Sequence, residues 1–190
     1  FDADLLPGYA WSFPLPDDRV NLGFGIVRGA KMSGKELKAI WSGLIDRPHV
    51  REVLGDSEAE GPHKAWPIPA NMAAMTLRHG RVLFVGDAAA VTDPMTGEGI
   101  GQALETGRLA ATAISQGGPS GAIAKRYDDA VRRSLLVDHT FARRLSRVLS
   151  RPGLTDAALR SVDLNDWTRR NFARWMFEDY PRAALLTPSR

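Results

Sequence analysis

Arg81-Val82-Leu83-Phe84-Val85-Gly86-Asp87, continuing through Ala88-Ala89-Ala90-Val91-Thr92 to Asp93-Pro94-Met95-Thr96-Gly97-Glu98-Gly99-Ile100-Gly101, is the stretch on which the reading of this chain turns. Residues 81–85, apolar from Val82 onward, show no polar alternation, which predicts a fully buried, parallel strand. Gly86 ends it without a side chain to block an approaching ligand. Asp87 then stands at the carboxyl end of that strand, where open α/β sheets place their ligands. A carboxylate there accepts hydrogen bonds from vicinal hydroxyls, as on a sugar or ribityl chain.

Gly97 and Gly99 free the next loop to bring backbone N–H groups against a flat ligand. A helix predicted over about 100–115 follows. Its N-terminus carries roughly half a positive charge, which favours an acceptor that becomes negative during reaction. An ordinary strand–loop–helix connection would use the same glycines as turn residues. Asp93-Pro94 and Gly97-Glu98-Gly99 at this spacing favour a socket for a hydroxylated, redox-active ring instead. The helix beyond is small on one side, with Ala103, Gly107, Ala110 and Ala111, so it can lie close to a sheet or a ligand.

Working outward, the first 30 residues read as a β-hairpin. Tyr9, Trp11, Phe13 and Leu15 alternate with small or polar residues, and so do Val20, Leu22, Phe24 and Ile26. A four-residue loop, Pro16-Asp17-Asp18-Arg19, would pair 15 with 20, 13 with 22, 11 with 24 and 9 with 26. All eight large apolar side chains would then share one face. Ser33 to Ile45 reads as a helix with a Ser33/Glu36 capping box, an apolar stripe of Leu37, Ile40, Trp41, Leu44 and Ile45, and Pro48 as its stop. Trp66-Pro67-Ile68-Pro69 must be extended. From about 120 to the end the pattern is helical, broken near Arg151-Pro152-Gly153. A last amphipathic segment carries Leu164, Trp167, Phe172 and Trp175.

Composition bounds the classes. The chain has 190 residues, 44% hydrophobic and 25% charged, which excludes a mainly disordered chain. No apolar run approaches the length of a membrane span, and the opening residues do not read as a signal peptide. With no cysteine, disulfide frameworks, thiolate metal sites and Cys nucleophiles are out. The four His have no metal-ligand spacing, so no metal site is expected, and cytosol is the default compartment. Net charge is +3 but unevenly spread: 11 basic and 14 acidic side chains over 1–124, 14 basic and 8 acidic over 125–190. The basic third is either a set of solvated helix faces or a surface for an anionic partner.

At the motif level the chain is similar to a known family. Gly86-Asp87-Ala88-Ala89, Asp93-Pro94 and Thr96-Gly97-Glu98-Gly99-Ile100 resemble the second FAD-binding motif of flavoproteins of the para-hydroxybenzoate hydroxylase fold. Within that superfamily the chain looks most like the geranylgeranyl reductases. Pro7-Gly8-Tyr9-Ala10-Trp11-Ser12-Phe13-Pro14 resembles their Pro-x-x-Tyr-x-Trp-x-Phe-Pro box, although the box's first proline would fall at Leu6. The likeness runs from residue 1 to about 115.

The resemblance implies a mixed α/β fold: the C-terminal part of a Rossmann-like FAD-binding fold, part of an antiparallel substrate-domain sheet, and C-terminal helices. The implied divisions are 1–70, 71–118 and 119–190, for the substrate, FAD-binding and helical regions. It implies FAD as cofactor, held by Gly86, Asp87, Pro94, Gly97, Glu98, Gly99 and Ile100. It also implies that Tyr9, Trp11 and Phe13 line a cavity for a prenyl-lipid substrate whose C=C bonds are reduced. No side chain reads as a convincing acid–base catalyst; Tyr9 is a candidate, with structural burial as the alternative.

The family's Gly-x-Gly-x-x-Gly, which grips the ADP half of FAD, occurs nowhere here. The chain is therefore expected to be the C-terminal half of a flavoprotein, in need of an N-terminal half and holding FAD weakly or not at all alone. Two rival activities stay open: an FAD-dependent aromatic-ring monooxygenase, against which the aromatic box argues, and a non-catalytic binding module with basic helices. Nucleic-acid binding is disfavoured by Asp128, Asp129, Asp138 and Asp166 interleaved among the arginines. Peripheral contact with an anionic membrane suits those helices better.

Overall fold

The computed structural model describes residues 5–27 and 33–177. The continuation of the helical pattern over 178–190 lies outside the described residues. The chain divides into two units, 1–66 and 67–190. Its class is mixed α/β, with six helices and two small antiparallel sheets among the described residues.

The first unit holds the hairpin β1 (Tyr9–Leu15) and β2 (Arg19–Gly25), then α1 (Gly34–Ile45) and α2 (Pro48–Leu54). The hairpin forms, but its register differs by one residue from the sequence expectation. Tyr9 faces Gly25, Trp11 faces Gly23, Phe13 faces Asn21 and Leu15 faces Arg19. The loop is three residues long because Asp17 and Asp18 both take left-handed backbone, with φ 62° and 53°. Aspartate tolerates that region better than most residues. A one-residue slip moves every side chain of one strand to the other face. The eight apolar groups therefore do not share a side. Tyr9, Trp11 and Phe13 line one face opposite two glycines, and Val20, Leu22 and Phe24 occupy the other.

Each face has its own packing. On the aromatic side the Trp11 ring covers Gly23, where a Cβ would meet it at 2.2 Å, and its Nε1 donates to Asn21 Oδ1 at 2.9 Å. Trp11 also lies 5.9 Å from Tyr9 and 6.3 Å from Phe13, ring centre to ring centre. On the aliphatic side Leu22 and Phe24 join Leu5, Leu44, Val50, Ile40 and Trp41 in a small core. Ile40, Trp41 and Leu44 of the α1 stripe supply that core, while Leu37 and Ile45 are half-buried outside it. Its capping box closes, with Ser33 Oγ accepting from the Glu36 amide and Glu36 accepting from the Ser33 amide. Pro48 does more than stop a helix, since its fixed φ also starts α2 at the first turn.

The second unit is built on α4 (Ser120–Leu149), about 45 Å long at the usual rise per residue. Its buried positions Ala124, Tyr127, Val131, Leu135, Asp138, Ala142 and Ser146 recur every three or four residues, and the helix packs on α3 (Ile100–Ser115) and on the segment before it. Met72, Leu77, Ala89, Val91, Ala110, Ala113, Tyr127, Val131 and Leu135 make one core. Two further helices follow, α5 (Pro152–Val162) and α6 (Asp166–Phe177). In the last segment Phe172 and Trp175 are half-buried, with Trp175 edge-on to Phe141, whereas Leu164 and Trp167 stand 74% and 71% exposed. The four do not form one buried stripe.

The predicted strand at 81–85 is corrected. Only Val82–Leu83 (β4) pairs, antiparallel to Arg78–His79 (β3), around the turn at Gly80. Val82 is 55% and Val85 39% exposed. An apolar run becomes a buried parallel strand only between neighbouring strands, and among the described residues this one meets a single two-residue partner.

Candidate functional site

The loop after β4 is set by buried hydrogen bonds rather than by regular structure. Gly86 has a left-handed φ of 56° and is buried; a Cβ on it would come 3.2 Å from that of Ala103. Its amide donates to Thr106 Oγ1 at 3.0 Å, and that hydroxyl donates on to the Gln102 carbonyl at 2.8 Å. Thr106 thus pins Gly86, in the loop after β4, onto α3. Residues 86–89 make one 3-10 turn that presents Asp87.

Asp93 organises the next turn. It is 4% exposed, and its Oδ1 accepts from the amides of Met95 (2.9 Å) and Thr96 (2.7 Å) and from Thr96 Oγ1 (3.0 Å). Its own amide donates to the Glu98 carbonyl, and its carbonyl accepts from Gly97, whose φ is 71°. That ring of bonds delivers Gly99 to the N-cap of α3. Glu98 Oε1 accepts from the Ile100 amide at 2.9 Å, capping the first helical residue with a carboxylate.

A cleft of about 400 Å³ opens where these parts meet, lined by Ile68, Asp87, Thr92, Gly97, Glu98, Gly99, Ile100 and Ala103. That volume lies in the range of small-molecule sites. Five of the seven residues assigned from sequence to the cofactor (Asp87, Gly97, Glu98, Gly99 and Ile100) line it together. Gly86 sits behind, against α3, and Pro94 is outside the lining. Tyr9, Trp11 and Phe13 share one face of the hairpin in the other unit.

Three lining residues were not assigned to the cofactor from sequence. Thr92 is buried, and its hydroxyl donates to Asp87 Oδ1 at 2.8 Å, fixing the carboxylate. A lone hydroxyl residue ending the run Ala88–Val91 was the available sign. Ala103 belongs to the small face of the helix expected to lie close to a sheet or a ligand, and Ile68 gave no sign beyond being extended. A Cβ at Gly99 would stand 3.1 Å from Thr92 Oγ1 and 3.5 Å from Asp87 Oδ1, so glycine is what leaves this wall open.

His139, on α4, is 4% exposed, and neither ring nitrogen makes a well-formed hydrogen bond among the described residues. Burial, with Arg143 next, holds its pKa below the ordinary value; Asp93, the Ala70 backbone and Asp138 oppose this more weakly. The folded protein therefore keeps the ring neutral beside the Asp93 turn. The stability this neutral ring contributes is present above the unfolded pKa of about 6.5 and is lost as pH falls through the lowered folded value. The melting temperature is expected to decline from about pH 6.5 downward, with a shallower decline in His139→Gln. A superimposable pH profile for the two proteins would refute this.

Comparison with known proteins fits this geometry. No family model and no solved structure matches the chain. It is 31% identical over 153 residues to a menaquinone reductase of Mycolicibacterium smegmatis, covering 80% of this chain and 36% of that protein. It is 31% identical over 162 residues to digeranylgeranylglycerophospholipid reductase 2 of Methanopyrus kandleri, covering 78% and 39%. A digeranylgeranylglycerophospholipid reductase of Methanocella arvoryzae is 33% identical over 135 residues, covering 67% and 32%. The resemblance to the geranylgeranyl reductase family is borne out over most of this chain. The chain spans less than two-fifths of the length of these reductases.

Proposed function

We propose that this chain is part of an FAD-dependent oxidoreductase that saturates C=C bonds in the prenyl chain of a membrane lipid. The observation that carries the reading is the convergence, on one cleft, of the Asp87 carboxylate, two loop glycines and the first turn of α3. Similarity to reductases named for menaquinone and for digeranylgeranylglycerophospholipid supports it and supplies the substrate class. Residues 71–118 are then the C-terminal part of a Rossmann-like FAD-binding domain, residues 1–70 belong to a substrate domain, and residues 119–190 form a helical region. No Gly-x-Gly-x-x-Gly is present here to hold the ADP half of the cofactor, and we assign that task to a part of the protein outside this sequence.

The residues fit such a cofactor. FAD, when bound, supplies the hydride. Asp87, steadied by Thr92, offers an acceptor for ribityl hydroxyls. Gly97 and Gly99 let backbone approach a flat ring, and Ile68, Ile100 and Ala103 offer it apolar surface. The N-terminus of α3 favours the electron-rich edge of the ring. Glu98, capping the Ile100 amide, partly offsets that field. Tyr9, Trp11 and Phe13 are the surface we assign to the prenyl chain. Tyr9 is exposed rather than buried, so packing alone does not account for it.

The test is an amide-resolved NMR titration of the 190-residue chain with FAD. The signals of Gly97, Gly99, Ile100 and Gly101 are expected to move in the weak-binding range. Asp87→Asn should weaken the response about tenfold or more, the worth of a charged hydrogen bond. Shifts scattered away from this loop, or unchanged by Asp87→Asn, would sink the reading.

A further inference from the structure

We propose that the outer face of α4 is a docking surface for an anionic lipid bilayer. Arg133, Val137, Arg144, Arg147 and Val148 fall within a sector of about 100° on the helix and span about 22 Å along it. Arg151 continues the row where α4 gives way to α5. All six side chains are exposed, while Val131, Leu135, Asp138, His139, Ala142 and Ser146 point the opposite way into the unit. Between residues 130 and 155 the only acid is Asp138, and it is buried.

The charge on this row is not spent internally. Other basic side chains of the helical region pair with nearby carboxylates, as Arg132 does with Asp128 and Arg160 with Asp156. Among the described residues Arg144, Arg147 and Arg151 have no ion-pair partner. Arg133 has only the Asp129 carboxylate nearby, which Lys125 already bonds. A row of cations with so little counter-charge among the described residues is complementary to a phosphate-rich surface.

Two features select a bilayer over a nucleic acid. Val137 and Val148 stand 49% and 47% exposed between the arginines, and apolar groups among cations suit a helix lying in the headgroup layer. A prenyl-lipid substrate would also be found there, and this part of the choice rests on the functional reading above. The charge row itself does not depend on it.

The experiment is sedimentation of the 190-residue chain with phosphatidylcholine vesicles, with and without phosphatidylglycerol at about a third of the lipid. Binding to the anionic vesicles alone is expected, weakening as salt rises. Arg144→Gln with Arg147→Gln should weaken it about 25-fold, about fivefold per arginine. Arg51→Gln with Arg160→Gln removes equal charge away from the row and should leave binding near wild type. No preference for the anionic vesicles, or an equal loss in the control pair, would overturn the proposal. So would duplex DNA binding that needs Arg144 and Arg147 while vesicles stay unbound. The wild-type salt series needs no variant, so a misfolded variant leaves the proposal testable. FAD-induced amide shifts on the same sample show separately whether the cofactor reading stands.

Discussion

Gly99→Val is expected to abolish the FAD-induced amide shifts while leaving the chain folded. The native φ of −137° is negative, so the substitution forces no residue into left-handed backbone. What it adds is volume. The first carbon would already press on Thr92 Oγ1 at 3.1 Å and approach Asp87 Oδ1 at 3.5 Å. The two methyls beyond it have either to occupy the cleft or to push Asp87 aside. Either outcome removes the place where a flat ring could meet the first turn of α3. Gly99→Ala should sit between the two, with binding reduced but measurable. A Gly99→Val protein that still shifts the Gly97 and Ile100 amides with FAD would show that the cleft is not where the ring lies.

Tyr127→Ala is expected to cost about 3–5 kcal/mol, the range for deleting a buried aromatic. Tyr127 is fully buried at the centre of the second unit, and its hydroxyl donates to the Phe84 carbonyl at 2.5 Å. That bond fixes the end of β4 two residues before Gly86, so the loss reaches the loop that carries Asp87. Tyr127→Phe should keep most of the packing and lose about 1 kcal/mol, the net worth of a typical hydrogen bond. Urea unfolding of the three proteins separates the two contributions. Equal midpoints for Tyr127→Ala and wild type would refute this account. Burial also pushes the phenol pKa up to about 12, with Asp128 adding to it. Its stabilising share is thus intact below the unfolded value near 10 and is lost as pH rises through the folded one.

Local signals were legible wherever the deciding interaction is local. The Ser33/Glu36 capping box marked the start of α1, and the change from glycine-rich loop to helical spacing marked α3 at Ile100. The grouping of Asp87 with Gly97, Glu98, Gly99 and Ile100 followed, because the loop that unites them closes on itself through Asp93. The hairpin register was not legible. Loops of three and four residues both preserve the alternation of β1 and β2, and only the left-handed backbone of Asp17 and Asp18 decides between them. The setting of residues 81–85 was hidden for another reason: an apolar run does not name the strands it will lie beside. Thr92 and Thr106 escaped because a threonine that fixes a carboxylate or pins a glycine looks in sequence like any other.

The indole of Trp11 occupies room that Gly23, across the ribbon, gave up. Neither position can therefore drift alone: a larger residue at 23 evicts the ring, and a smaller one at 11 uncovers bare backbone. Exchanging both at once for residues of middling size keeps the combined bulk, so a coordinated double step disturbs this spot least.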